Sequence, residues 1–252
     1  MIAAVTMLQL INGALVLAFL FIGFKLLETS WSYKISKPFQ WEEAVRKGGV
    51  SKTLKRIERF YRDKVRFYAL WFQVERLKKM GIPGAFAEVG VYKGETARML
   101  HAMDPSRPFH LFDTFEGFSK QDLDETISDQ RNNFVDFSDT SVDRVLKFIG
   151  GNENITVHKG YFPDTTAGLT TEKYALVHLD ADLYNPTRAA LEYFYPRISA
   201  GGVIIIHDYN HSWEGVPKAV NEFVASIPEF LMEIPDWQGS AMIVKSKISQ
   251  PT

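Results

Sequence analysis

The hydrophobic pattern changes character twice along the chain. From Ile2 to Phe24 there is no charged residue, and Gln9 and Asn12 are the only strongly polar side chains. As a helix at ~1.5 Å per residue this run would be roughly 34 Å long, enough to cross a hydrocarbon core of ~30 Å. Residues 26–40 read as a juxtamembrane linker containing Pro38. From Trp41 to Lys79 the chain is rich in Lys, Arg, Glu and aromatics. Leu54, Ile57, Phe60 and Tyr61 recur at helical spacing, as do Phe67, Leu70, Trp71 and Val74, which predicts two amphipathic helices. Their charges read as a solvated face.

After Gly81-Ile-Pro-Gly84 short apolar runs alternate with helical periods. Strands are predicted at Ala85–Val89, Phe109–Phe112, Ile155–His158, Tyr174–Leu179 and Val203–Ile206, then two short ones near Leu231–Ile234 and Ala241–Lys245. Helices are predicted at Gly94–Met103, Ser141–Ile149, Thr187–Tyr195 and Val216–Ile227. Such alternation builds an α/β domain on a mostly parallel sheet with right-handed helical crossovers. The expected organisation is an apolar helix at 1–25, a linker with amphipathic helices at 26–80, and the α/β domain at 81–252.

Composition narrows the function classes. With 252 residues, 46% apolar and 23% charged, the chain fits one large α/β domain plus extra elements. Its 29 basic and 30 acidic side chains give a net charge of -1, so nothing attracts nucleic acid in general. The absence of cysteine excludes disulfides and thiolate metal sites and fits a reducing compartment. Lys25, Lys34 and Lys37 all follow the apolar run. By the positive-inside rule a membrane anchor over residues 2–24 would leave the domain in the cytoplasm. A cleaved signal peptide is less expected, because no Lys or Arg precedes the run and no clear small-x-small site follows it. The plainer alternative is a cytoplasmic protein whose apolar helix is buried in a homo-oligomer or against the domain.

Sites on such sheets lie at the carboxyl ends of strands. The first strand end reads Glu88-Val-Gly90-Val-Tyr92-Lys-Gly94-Glu-Thr96. Glycines there let a backbone pass close to a ligand, but the spacing is not that of the dinucleotide fingerprint. Glu88 would repel a pyrophosphate and would suit an ammonium group, such as that of S-adenosylmethionine; a plain strand–turn–helix corner is the alternative. Asp113 ends the second strand, about twenty residues on, where an acid can accept hydrogen bonds from ribose hydroxyls; a turn or cap aspartate would look the same. Thr114 follows it. After the third strand, Tyr161 and Phe162 either flank an adenine ring or belong to the core. The fourth and fifth strands end in Asp180-Ala-Asp182 and His207-Asp208. Oxygen ligands with one nitrogen suit Mg²⁺ or Mn²⁺. Without metal, Asp180 or His207 could act as a general base on a hydroxyl. Asp182 is the weakest member of the set, and it could simply precede a helix.

These motifs together, with Asp113-Thr-Phe-Glu-Gly-Phe118, Leu179-Asp-Ala-Asp-Leu-Tyr184 and Gly201-Gly-Val-Ile-Ile-Ile-His-Asp-Tyr209, resemble class I methyltransferases of the macrocin O-methyltransferase (TylF/MycF-like) family. The resemblance runs from about Arg66 to Lys245. It implies a Rossmann-like class I methyltransferase fold, with a seven-stranded sheet and helices on both faces. It implies S-adenosylmethionine as methyl donor, contacted by Glu88, Gly90, Gly94 and Asp113; Tyr92, Thr96, Thr114, Tyr161 and Phe162 are also expected to bind the cofactor. It implies O-methylation of a small-molecule or glycan hydroxyl, and Mg²⁺ held by Asp180 and the pair after the fifth strand. The macrolide enzymes have two aspartates at that pair, where this chain has His207 and Asp208. The apolar N-terminus suggests an acceptor at a membrane. A tethered module that keeps the fold without turnover is the competing reading. A hydrolase is disfavoured, since no G-x-S-x-G elbow is present. The polar stretch Ser119 to Thr140 reads as a lid over the acceptor site or as a surface insertion.

Overall fold

The computed structural model describes residues 2–32, 37–119, 122, 137–151, 153–211 and 214–246. It divides into two compact units, Met1–Val50 and Ser51–Thr252. The first holds α1 (Ile2–Ser32) and α2 (Phe39–Arg46). Apolar side chains of α1 stand exposed, Leu10 at 75% and Phe19 at 79% among them. Its stretch Thr6–Glu28, within which an 18-residue window reaches a mean hydropathy of 2.2, is long and apolar enough to cross a membrane. The expected linker is shorter than its polarity suggests. Lys25-Leu-Leu-Glu28 are good helix formers, so α1 runs on past its first charge.

The second unit begins earlier than the sheet. α3 (Lys52–Phe60) is capped by the Ser51 hydroxyl, which accepts from Leu54 N at 3.1 Å. α4 (Lys64–Met80) starts at Asp63, whose Oδ1 accepts from Arg66 N at 2.9 Å, and stops at the left-handed Gly81. Leu54, Ile57, Phe67, Leu70, Trp71 and Val74 are buried as expected, but Phe60 is 71% exposed. Phe60 is the last residue of α3, whose inner stripe is marked by the buried Leu54, Ile57 and Glu58. α3 and α4 belong to the same compact unit as the sheet, Ser51–Thr252.

The sheet comprises β1 (Ala85–Val89), β2 (Phe109–Asp113), β3 (Ile155–Lys159), β4 (Tyr174–Leu179), β5 (Ile198–Ile206), β6 (Met232–Glu233) and β7 (Ala241–Val244), in the order β3-β2-β1-β4-β5-β7-β6. The first five in that order are parallel; β7 is antiparallel to both β5 and β6. β1 and β4 are buried throughout, which is why they read as unbroken apolar runs rather than alternations. Between them lie α5 (Glu95–Met103), α6 (Val142–Ile149), α7 (Tyr184–Phe194) and α8 (Gly215–Val224). Val177, Leu179, Ile204 and Ile206 pack against α7 and α8. His178 alternates with them and touches Arg66 of α4, so α4 covers the opposite face. α7 starts before Pro186 because a proline in the first helical turn forfeits no hydrogen bond. β5 starts at Ile198, since Gly201 and Gly202 interrupt its apolar pattern without ending the strand. The proposed lid between Ser119 and Thr140 lies mostly outside the described residues.

Candidate active site

The sheet order reverses direction between β1 and β4, where open α/β sheets form their ligand crevice. A cavity of about 480 Å³ sits there. Glu88, Gly90, Tyr92, Thr96, Asp113, Thr114, Tyr161, Phe162, Asp180, His207 and Asp208 all line it, as do Tyr61 and Arg66. Gly90 (φ 81°) is required by contact as well as conformation: a Cβ there would lie 1.9 Å from the carbonyl oxygen of Asp180. The loop beyond it is held by the Asp113 carboxylate, whose Oδ2 accepts from Val91 N at 2.6 Å and Tyr92 N at 2.8 Å. Its Oδ1 accepts from Phe115 N at 2.6 Å. A carboxylate offers about four acceptor positions, so roughly one remains beyond the three backbone donors that this turn supplies. Gly94 does not line the cavity. It caps α5 at φ 81°, and Val145 Cγ1 stands 3.0 Å from where its Cβ would be. Phe162 is 5% exposed and stacks on Phe194 with edge contact to Phe112, so its ring is core that forms a wall. Tyr161 donates to Asp122 Oδ1 at 2.8 Å.

Below the loop lies a buried charged network. Arg66 is 7% exposed. Its Nη1 lies 2.6 Å from His207 Nε2, and its Nη2 lies 3.0 Å from His178 Nε2, 3.3 Å from Thr96 Oγ1 and 3.4 Å from Asp180 Oδ2. A guanidinium only donates, so both imidazoles present a lone pair at Nε2 and carry their proton on Nδ1. His207 Nδ1–H then donates to Asp180 Oδ1 at 2.7 Å. Asp208 Oδ1 lies 3.2 Å from the same Nδ1 without a hydrogen bond. Burial opposes charging His207, yet Asp180 and Asp208 raise it to about 9. With Arg66 in contact at Nε2, a protonated ring would set two N–H donors head-on at 2.6 Å. Burial works against the charge on Asp180 too, but His207 and Arg66 outweigh it and hold the carboxyl well below its usual range. Glu88 is 1% exposed, and its Oε2 has no hydrogen-bond partner among the described residues. Burial, reinforced by Asp180, pushes its carboxyl well above the ordinary value.

The family model of the macrocin O-methyltransferases (TylF) matches residues 62–242. The chain belongs to the macrocin O-methyltransferase family. A relative from Streptomyces olivaceus, 8-demethyl-8-(2,3-dimethoxy-alpha-L-rhamnosyl)-tetracenomycin-C 4'-O-methyltransferase, is 30% identical over 153 residues, covering 56% of this chain and 58% of that one. Mycinamicin III 3''-O-methyltransferase of Micromonospora griseorubida is 31% identical over 150 residues, covering 54% and 59%. The matched stretch thus spans a little over half the length of these relatives. Among solved structures, the O-methyltransferase NovP superposes with a TM-score of 0.63 at 23% identity, covering 73% of this chain and 81% of that one. The calicheamicin methyltransferase CalS11 gives 0.55 at 20% identity, covering 87% and 90%. The fold is that of the class I methyltransferases.

The resemblance to this family implies a divalent metal on Asp180, His207 and Asp208, and their candidate ligand atoms do lie within 4.8 Å of one another. The donor set nevertheless does not fit a metal. A metal on Nδ1 would move the ring proton to Nε2, against the Arg66 N–H at 2.6 Å. A metal on Nε2 would occupy the place of the guanidinium itself. A protonated ring would offer no lone pair at all. The same contacts leave His207 without a free lone pair for general-base chemistry, whereas the Asp180 side chain stays 25% exposed. Asp182 lines the cavity at φ 59°, and Leu183, not Asp182, is the cap of α7.

Tyr61, Arg66 and His178 were not among the residues expected at the site. His178 was findable: it stands two before Asp180 in a strand, hence on the same face. Arg66 shares helical spacing with Leu70, Val74 and Leu77, and a charge on an apolar stripe is the mark of a buried, paired side chain.

Proposed function

We propose that this protein is an S-adenosylmethionine-dependent O-methyltransferase acting on a hydroxyl of a sugar or glycoconjugate. The observation that carries this reading is the unpartnered, buried Glu88 Oε2 at a cavity closed on one side by the Gly90 turn and on the other by Asp180. The printed activities of the two relatives, O-methyltransferases of a rhamnosyl and of a macrolide compound, support the acceptor class.

S-adenosylmethionine supplies a methyl group on a positive sulfur; its C–S bond breaks as a C–O bond forms, leaving S-adenosylhomocysteine and a methyl ether. Glu88 offers its free oxygen to the ammonium group, and a cation beside it restores the carboxylate that burial disfavours. Asp113 offers its remaining acceptor position to ribose. Asp180 takes the hydroxyl proton. It is a weak base, and a weak base is sufficient, because the hydroxyl becomes strongly acidic as oxygen acquires the methyl group. His207 and Arg66 fix the plane of that carboxylate, so that its exposed edge is already oriented.

Calorimetric titration with S-adenosylmethionine and S-adenosylhomocysteine tests this. Binding to the wild-type chain is expected, weakened about ten- to a hundredfold in Glu88→Gln, the size of one buried charge-assisted hydrogen bond. No heat with either compound in a folded sample would sink the reading.

We further infer that α1 anchors the domain to a membrane, on the side marked by Lys25, Lys34 and Lys37, where a membrane-borne glycan would be the acceptor. The length and apolarity of Thr6–Glu28 support this. The full chain should stay with the membrane fraction through an alkaline carbonate wash. Release into the supernatant would assign α1 to self-association instead.

A further inference from the structure

We propose that the guanidinium of Arg66 is the resident cation of this site and stands in place of a divalent metal, so that methyl transfer here needs none. This rests on the methyltransferase reading above and adds to it how the acceptor end is held.

The argument begins with the hydrogen-bond roles. Arg66 reaches His207, His178, Thr96 and Asp180 with two nitrogens of one planar group. Such a fork aims at several acceptors at once, which a lysine ammonium does not do in a fixed plane. Because it donates to both imidazoles at Nε2, it fixes the tautomer of each. The His207 proton is thereby committed to Nδ1 and to Asp180 Oδ1. The ring that replaces an aspartate in the macrolide enzymes is therefore not a substitute ligand. It is a spacer that conducts the hold of Arg66 onto Asp180.

Charge points the same way. Asp180 and Asp208 carry two negative charges, and Arg66 already balances one of them from within hydrogen-bond distance of Asp180. A divalent ion among ligand atoms within 4.8 Å of one another would sit a few ångström from that guanidinium. It would be repelled by a cation that is buried, paired and unable to lose its proton. A protonated His207 would add to the repulsion, so the exclusion holds in either state of the ring. One feature would welcome a cation: Asp208 Oδ1 is buried without a hydrogen bond among the described residues, with His207 Nδ1 3.2 Å away. It also lines the cavity, and an acceptor hydroxyl can satisfy it without displacing Arg66. Arg66 thus acts as a positioning residue, holding Asp180 ready to receive the proton.

The test uses Mn²⁺ as the probe and the full chain in detergent, saturated with S-adenosylhomocysteine. Free Mn²⁺ is read by electron paramagnetic resonance. The wild-type protein is expected to leave the free signal unchanged, while Arg66→Gln takes up one Mn²⁺ per chain with at least tenfold tighter affinity. Uptake should disappear again in Arg66→Gln/Asp180→Asn. A purely structural role for Arg66 would not create a metal site. Uptake of one Mn²⁺ by the wild type, lost in Asp180→Asn, overturns the proposal, as does the absence of uptake by both the wild type and a folded Arg66→Gln. Should Arg66→Gln not fold, nitrogen-15 spectra of the wild-type His207 ring decide: a protonated Nδ1 with a bare Nε2 is expected, and a proton on Nε2 overturns it. The heat of S-adenosylhomocysteine binding in the same samples reports separately on the methyltransferase reading.

Discussion

Gly90→Ala should abolish measurable S-adenosylmethionine binding and lower the melting temperature by about 10 °C. The added methyl group would stand 1.9 Å from the carbonyl oxygen of Asp180, and that oxygen belongs to a backbone that cannot turn aside. Overpacking costs about 1–3 kcal/mol. Holding a non-glycine residue at φ 81° adds about 1–2 kcal/mol. At roughly 2–4 °C per kcal/mol for a domain of this size, the two together give the expected shift. The damage to binding comes from geometry, because relieving the clash separates the β1 turn from the β4 end that together bound the cavity. Gly168→Ala is the control. Its φ is 88° but nothing lies within 4 Å of the new methyl group, so it should show the backbone strain alone. Equal melting points for the two variants would refute the contact argument.

Arg66→Met should destabilise the domain by about 3–5 kcal/mol, the usual cost of removing one partner from a buried ionic network. Methionine matches much of the length and apolar stem of arginine, so lost packing contributes little. What remains is Asp180 facing a site without its cation, and two imidazoles without the donor that set their tautomers. Denaturant unfolding followed by circular dichroism measures this directly. A change below about 1 kcal/mol would mean that solvent, and not Arg66, satisfies these groups in the folded protein.

Much of the fold was legible because its signals are local. Buried parallel strands such as Ala85–Val89 and Tyr174–Leu179 appear as short apolar runs with turn residues on either side, and both matched to the residue. Boundaries slipped where local signals conflict. Glycines inside β5 looked like an end, Pro186 looked like a start, and the charges after Phe24 looked like a linker. The strand-end residues were legible for the same reason as the strands: topology sends whatever follows a parallel strand to one edge of the sheet. The stripe on α4 marks Arg66 as buried but does not name its partner, because Arg66 arrives from a helix that precedes the sheet and meets His207 across 141 positions. No spacing rule links those two. At Gly94 the motif also serves packing: a Cβ there would meet Val145 and Ile149 of α6.

The burial of Arg66 bears on how such an enzyme would be governed in a cell. A cation that is part of the polypeptide cannot be chelated, diluted or exchanged for a competing ion. Its charge persists at any pH the fold survives. With Arg66 in the metal's place as proposed, swings in free magnesium or manganese would pass unnoticed at this site.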